Sequence, residues 1–495
     1  MNMDVFPMGM KNLSAALTVV AVAFAAFCAN AADFTVTGCG LDETNGNYRR
    51  FTDATARIQD AVNSAWKSGG GRVTVEAGSY PITSIRLRSG VTLYLKSGAV
   101  LFASRNTEEY DIFKDDTLEP LPAREFTESR WIPPHLRIRP KGGQIDFINC
   151  AASTWNRGII RAYGARDIAL IGEPGSVIDG CNSYDPKGED NYRGAHGLNI
   201  FHSTNIVLKG YTLRHTGNWA HRIQYAANVT CERVTVLGGH DGFHIRGGDH
   251  VRISDCTFHT GDDAIAGFDN FDVTVRGCDL SSACSAFRFG GRDILIENCH
   301  AHGPCEYPFR GSIPPQARRD GVGDPSLLAG GRCSMATFFL YFCDHSIPTR
   351  RAPGNIVVRN CRIENVHRFL RYNYGGELWQ HARPMTDITF ENCTATGMLL
   401  PLAANAGGPD EPERVPFTLT IRDSEFAFAA SVSEFIECLG VKAVTLENVR
   451  LRGKALSAVR SWEGTPVLTL KDTAGLKDEI ARDTGNYVCP GRRGI

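Results

Sequence analysis

The 495-residue sequence predicts an all-β fold, a single-stranded right-handed parallel β-helix closed at its N-terminal end by a capping helix. Three observations lead there. Segments 250–256, 271–278, 293–299, 355–361 and 387–393 each alternate β-branched residues and end in a polar turn followed by cysteine. The first three of those cysteines, Cys256, Cys278 and Cys299, are 22 and 21 residues apart. A second column, Phe243, Ile265, Phe287 and Phe309, steps by 22. Such a period holds two or three strands with their turns, one coil of a solenoid that buries its apolar face only by stacking. Stacked strands lie about 4.8 Å apart, so aligned columns become internal ladders.

From the N-terminus, residues 1–31 read as a secretory signal peptide: Lys11, an apolar run at 13–28, then Ala29-Asn30-Ala31 as a cleavage pattern. The run is short for a bilayer span, and no later stretch is long and apolar enough, so the mature chain is expected to be soluble and secreted or periplasmic. Residues 32–474 are expected to form one β-helix domain, with insertions near 105–157 and 313–353 and a patternless tail at 475–495. The capping helix follows a polar start at Thr52-Asp53 and carries Ala56, Ile58, Ala61, Val62 and Ala65 at helical spacing before Gly69-Gly70-Gly71 stops it. It would cover backbone edges that an open end leaves unpaired. First strands are expected at 72–75, 85–87 and 91–95. Pro133, Pro134, Trp131 and Trp155 mark the first insertion, where the rhythm fails.

A net charge of −1 advertises neither nucleic acid nor an anionic membrane as partner. Of 16 cysteines, Cys28 lies in the leader, leaving an odd number. Their regular spacing suits small apolar fillers, and the absence of any Cys-x-x-Cys pair gives no sign of zinc. His221, His300 and His302 have no metal-ligand spacing either, so no metal is expected. Nothing points to an oligomer, and the chain is expected to act as a monomer.

Chemistry concentrates in two adjacent coils. Asp241, in Gly239-His240-Asp241-Gly242, and Asp263, in Gly261-Asp262-Asp263-Ala264, are 22 residues apart, so they should stack on successive rungs with Asp262 beside them. Three carboxylates then share one solvent-facing patch. Crowded like charges raise at least one proton affinity, which provides the acid beside a base that glycoside hydrolysis uses. The plainer alternative is an Asx-turn at each strand end.

These motifs resemble glycoside hydrolase family 28, the polygalacturonase-like enzymes of the pectin lyase-like superfamily. The stretch 171–180 resembles that family's GxGxIDG coil, Asn218-Trp219 its Asn-Trp coil, Gly239–Gly242 its Asn-Thr-Asp-Gly, and Gly261-Asp262-Asp263 its Gly-Asp-Asp. Order and spacing agree over residues 44–400 or so. The resemblance implies a general acid at Asp262, water activation by Asp241 and Asp263, and inversion. It departs where Ala283-Cys284-Ser285 replaces Gly-His-Gly, and where Arg310-Gly311-Ser312 replaces Arg-Ile-Lys.

A further column, His244, Ala266, Arg288 and Arg310, is offset by one from the phenylalanines and should face outward. The two arginines are then candidates to bind a substrate carboxylate or sulfate, with His240 or His244 standing in for the missing histidine. Neutralising the aspartates is their alternative role. Trp155, Trp219, Tyr307, Tyr372, Tyr374 and Trp379 are candidate sugar platforms. The leading expectation is a cofactor-free hydrolase of a pectin-like or other acidic polysaccharide. A lyase or epimerase with an arginine base and Ca2+ held by the aspartates is the second reading, and a non-catalytic glycan-binding β-helix the third.

Overall fold

The computed structural model describes residues 32–38, 51–111, 157–320, 333–343, 351–374, 384–408, 414–462 and 464–483. The expected leader, residues 112–156 of the first insertion, and Trp131, Trp155 and Trp379 lie outside the described residues.

Turns set the path of the chain. The residue before each ladder cysteine adopts a left-handed backbone: Asp255, Gly277, Asn298, Asn360 and Asn392 have φ between 49° and 63°. Asn, Asp and Gly enter this region at least cost, which explains why the repeats end in Asp-Cys, Gly-Cys or Asn-Cys. The cysteine that follows turns inward. Cys256, Cys278, Cys299, Cys361 and Cys393 are buried and unbridged, the packing role expected of them.

Between turns each coil lays down three strands in parallel register with its neighbours. His196–Phe201, His221–Gln224 and Phe243–Arg246 belong to the first wall. Thr204–Lys209, Ala227–Glu232 and Asp249–Ser254 form the second. Thr212–Arg214, Thr235–Leu237 and Thr257–Thr260 form the third. The long strands Ile265–Arg276 and Ser285–Glu297 run through both of the first two walls, which therefore join as one 25-stranded sheet beside a 12-stranded one. One apolar core fills the lumen from Val36 to Val459.

The inward column holds for Phe243, Ile265 and Phe287, but its next member is Phe339, not Phe309. After strand His300–His302 the chain leaves the wall and re-enters it at Met335–Tyr341. A fixed step of 22 cannot survive such an excursion. The stretch 313–353 therefore contains a wall strand. At the other end, Leu476–Arg482 pairs with Leu456–Ser461, so the coils run past residue 474; residues 484–495 lie outside the described residues.

Helix α1 (Phe51–Lys67) joins the core through Ala54, Ile58, Val62 and Ala65, one apolar stripe at helical spacing. Ala56 falls on the exposed side, and Thr52-Asp53 lie within the first turn instead of ahead of it. The strands Gly71–Val75, Ile85–Arg86 and Val91–Leu95 follow as expected. No helix among the described residues is long and apolar enough to cross a membrane.

Candidate active site

Alternation along the first wall sends Phe243, Ile245, Phe287 and Phe289 into the core and leaves His244 and Arg288 on the outer face. His244, Ala266 and Arg288 are register partners, as the period predicts, and Arg222 precedes them in the same column. The aspartates occupy the turns that feed these strands. Those turns cross closely: a Cβ on Gly261 would come 2.6 Å from the Pro308 carbonyl and 2.7 Å from that of Gly239, so this position has room only for glycine.

The three acids converge. Carboxylate oxygens of Asp262 and Asp263 and the Cys284 Sγ lie within 4.8 Å of one another. Burial, and then the charges of Asp262 and Asp263, push the Asp241 carboxyl well above the usual range, against the pull of Arg288 and Arg193. His244 Nδ1 lies 2.5 Å from Asp241 Oδ2, while Arg246 Nε donates to His244 Nε2 at 3.0 Å. A ring nitrogen that accepts from arginine carries no proton, which assigns the neutral tautomer with Nδ1–H donated to Asp241. Burial, then Arg246, Arg288 and Arg222, also hold His244 well below its ordinary pKa. Trp219 stacks on the imidazole at 3.7 Å between centroids and fixes its plane.

His240 is buried, with Nδ1 4.0 Å from Asp262 Oδ2 and its ring 5.6 Å from that of Tyr192. Burial, then Arg193 and Arg310, disfavour its protonation. Arg288 Nε stands 3.9 Å from Asp263 Oδ2, and the guanidinium lies 3.5 Å over the Phe342 ring. Arg310 is not in the column predicted for it. Leu340 pairs with Arg288 instead, and Arg310 sits in a short 3-10 turn, Arg310–Ser312, reached during the excursion from the wall. Its guanidinium donates to the carbonyls of Thr216, Gly217 and Arg318, and burial lowers its pKa to about 10.

The expected solvent-facing patch is corrected in one respect. The cluster lies on the outer side of the wall, but Asp241, Asp262 and Asp263 are only 3%, 6% and 2% exposed. Two segments without repeat register cover it. One brings Arg193, whose NH2 is 3.5 Å from Asp262 Oδ2, together with Tyr192 and Glu189. The other brings Tyr307, Pro308 and Arg310 against Gly238, Gly239 and Gly261. A cleft of about 60 Å³ lined by Asn182, His215, Tyr307 and Arg310 runs along this junction. Burial is the main cause of the raised Glu189 carboxyl, and Asp262 adds to it. Burial opposes the charge on Arg193, but Glu189 and Asp262 outweigh it.

Arg193, Tyr192 and Glu189 are absent from the sequence expectations because nothing periodic marks them; their only signal is the run of charged residues before the strand at 196. Cys284 takes the position where the resemblance has histidine. A thiol and two carboxylates suit Ca2+ poorly, since that ion takes six to eight oxygens. His221 is a satisfied core histidine: Nδ1–H donates to the Gly242 carbonyl at 2.7 Å, Nε2 accepts from the Tyr211 hydroxyl at 2.8 Å, and burial lowers its pKa to about 4. Trp219 and Tyr372 are buried packing residues and offer no sugar platform.

The right handed beta helix region family matches residues 196–303. Together with the parallel coils, that match makes the chain a right-handed parallel β-helix. It is polygalacturonase-like in sequence: a "Probable polygalacturonase" of Vitis vinifera is 24% identical over 233 residues, 44% of this chain and 42% of that protein's length. Solved structures of similar shape include a family 28 exopolygalacturonase of Yersinia enterocolitica, with 13% identity, 92% of this chain and 79% of that one covered, and a TM-score of 0.47. A mannuronan C-5 epimerase A-module of Azotobacter vinelandii has 11% identity, 87% and 96% coverage and a TM-score of 0.49. The surface adhesin PfbA of Streptococcus pneumoniae has 13% identity, 87% and 89% coverage and a TM-score of 0.42.

Proposed function

We infer that this chain is a secreted glycoside hydrolase that cleaves an acidic, pectin-like polysaccharide by an inverting acid/base mechanism. The observation that carries the reading is the convergence of Asp241, Asp262 and Asp263 from successive coils, flanked by the Arg193 and Arg288 guanidinium groups. Asp262 donates the proton to the leaving oxygen, and Asp263, with Asp241 once it has given up its own proton, activates the attacking water. An incoming uronate carboxylate competes with Asp262 for Arg193, so substrate entry and displacement of the covering segment are one event. His244 orients Asp241 through its Nδ1–H. The sequence likeness to a polygalacturonase supports the same class of substrate.

Reducing-sugar release from polygalacturonate, rhamnogalacturonan and sulfated glycans tests the reading. Asp262→Asn should lower turnover by roughly 10²–10⁴-fold. Turnover unchanged in that variant would refute it. An unsaturated uronate absorbing in the ultraviolet would transfer the chain to the lyases.

A further inference from the structure

The third wall carries a second side-chain cluster that the proposed reaction does not use. Its strands Thr257–Thr260, Asp279–Ser282 and His300–His302 stack on three successive coils. Phe258, Leu280 and Ala301 point into the core, so His259, Asp279, Ser281, His300 and His302 face outward between them. His259 is the register partner of Ser281, and Asp279 that of His300. Ser281 is small, and over it the His259 and His302 rings approach to 5.5 Å between centroids.

Both rings aim a nitrogen at one carboxylate. His259 Nε2 is 3.1 Å from Asp279 Oδ2, and His302 Nε2 is 3.3 Å from Asp279 Oδ1. One donor atom from each of the three residues lies within 4.8 Å of the others. His300 Nδ1 is also 3.3 Å from Asp279 Oδ1, and its Nε2 is hydrogen-bonded to Glu364 Oε2 at 2.8 Å. Asp279 Oδ1 is buried and takes part in no hydrogen bond among the described residues, although two imidazole nitrogens face it. Metal–ligand bonds of about 2.0–2.1 Å in a tetrahedral site place neighbouring donors about 3.3 Å apart; here each histidine nitrogen stands 3.1–3.3 Å from one or the other Asp279 oxygen, a small rearrangement from such a set. An imidazole whose far nitrogen is held by a carboxylate is the usual support of a metal ligand. Arg362 donates to His300 Nδ1 at 3.4 Å and pairs with Glu364 Oε1 at 3.5 Å, so use of His300 as a donor requires this largely exposed guanidinium to be displaced.

We propose that His259, Asp279 and His302 bind a divalent transition-metal ion of the zinc class, with His300, backed by Glu364, as a further donor. Two or three imidazoles with one carboxylate favour zinc over calcium or magnesium, which prefer all-oxygen sets. The donors sit 20 and 23 residues apart in the sequence, one per coil, so no local motif announces them. The ion would clasp three coils together on their outer face.

Titration calorimetry of the full chain, stripped with chelator and titrated with ZnCl2, tests the proposal, with CaCl2 and MgCl2 as comparisons. One zinc per chain should bind, with a rise in thermal midpoint that EDTA reverses. Glu364→Gln should weaken zinc binding by roughly 10- to 100-fold, and His259→Ala with His302→Ala by more. Two results would overturn it: no zinc binding by the unaltered chain, or binding that survives the double histidine variant and disappears in Cys284→Ser. The first needs no variant and so does not depend on any substitution folding correctly.

Discussion

At Asp241, burial and two neighbouring carboxylates all favour the neutral acid. Its folded-state pKa is therefore raised above the unfolded value of about 4. The stability it contributes is full below that unfolded value and is lost as pH rises through the folded pKa. Asn at this position still accepts the His244 Nδ1–H and carries no charge at any pH. The thermal midpoint of the native chain minus that of Asp241→Asn should thus fall steadily as pH climbs from about 4 toward neutrality. A difference that stays flat across that range would show that Asp241 ionises freely. The three aspartates were legible because 22-residue spacing and a motif coincide at them. Arg193 was not, because it belongs to a covering segment where residue position carries no information about height along the solenoid. The same blindness explains why the sequence placed the acids in open solvent.

The unit that the sequence encodes most openly is the turn. Asn298 is exposed and left-handed, with φ of 56°, so substitutions there report the backbone with little interference from packing. Alanine must pay the clash of Cβ with the following carbonyl, roughly 1–2 kcal/mol, whereas glycine avoids it. Thermal midpoints should therefore rank Asn298→Ala below Asn298→Gly; the reverse order would mean that side-chain contacts, not backbone conformation, select asparagine. Five such turns before five cysteines made the strands, their register and the core ladder readable. The element that stayed hidden is Met335–Tyr341, whose apolar composition fits a wall strand but whose place in the stack depends on where the chain returns after residue 302. Periodicity assigned Phe309 and Arg310 to positions that Phe339 and Leu340 occupy, because it counts residues and the excursion does not.

Across the whole molecule, one uninterrupted core makes its ends the points of weakness. The last strands are thinly packed, with Val467 67% exposed, while helix α1 seals the first coils with a stripe centred on the fully buried Ile58. A charge at that point has no partner in the apolar lumen, so Ile58→Asp carries the penalty of an uncompensated buried carboxylate, about 3–5 kcal/mol. Ile58→Val removes one methylene and should cost only about 0.5–1.5 kcal/mol. If the helix is the stopper of the solenoid, the aspartate variant also uncovers the first strand edges, and those edges pair with other chains. Its thermal midpoint should then drop well below that of the valine variant, and light scattering should rise at temperatures where the native chain stays clear. Equal midpoints for the two variants would mean that the core closes without the helix, and that the coils themselves supply the cap.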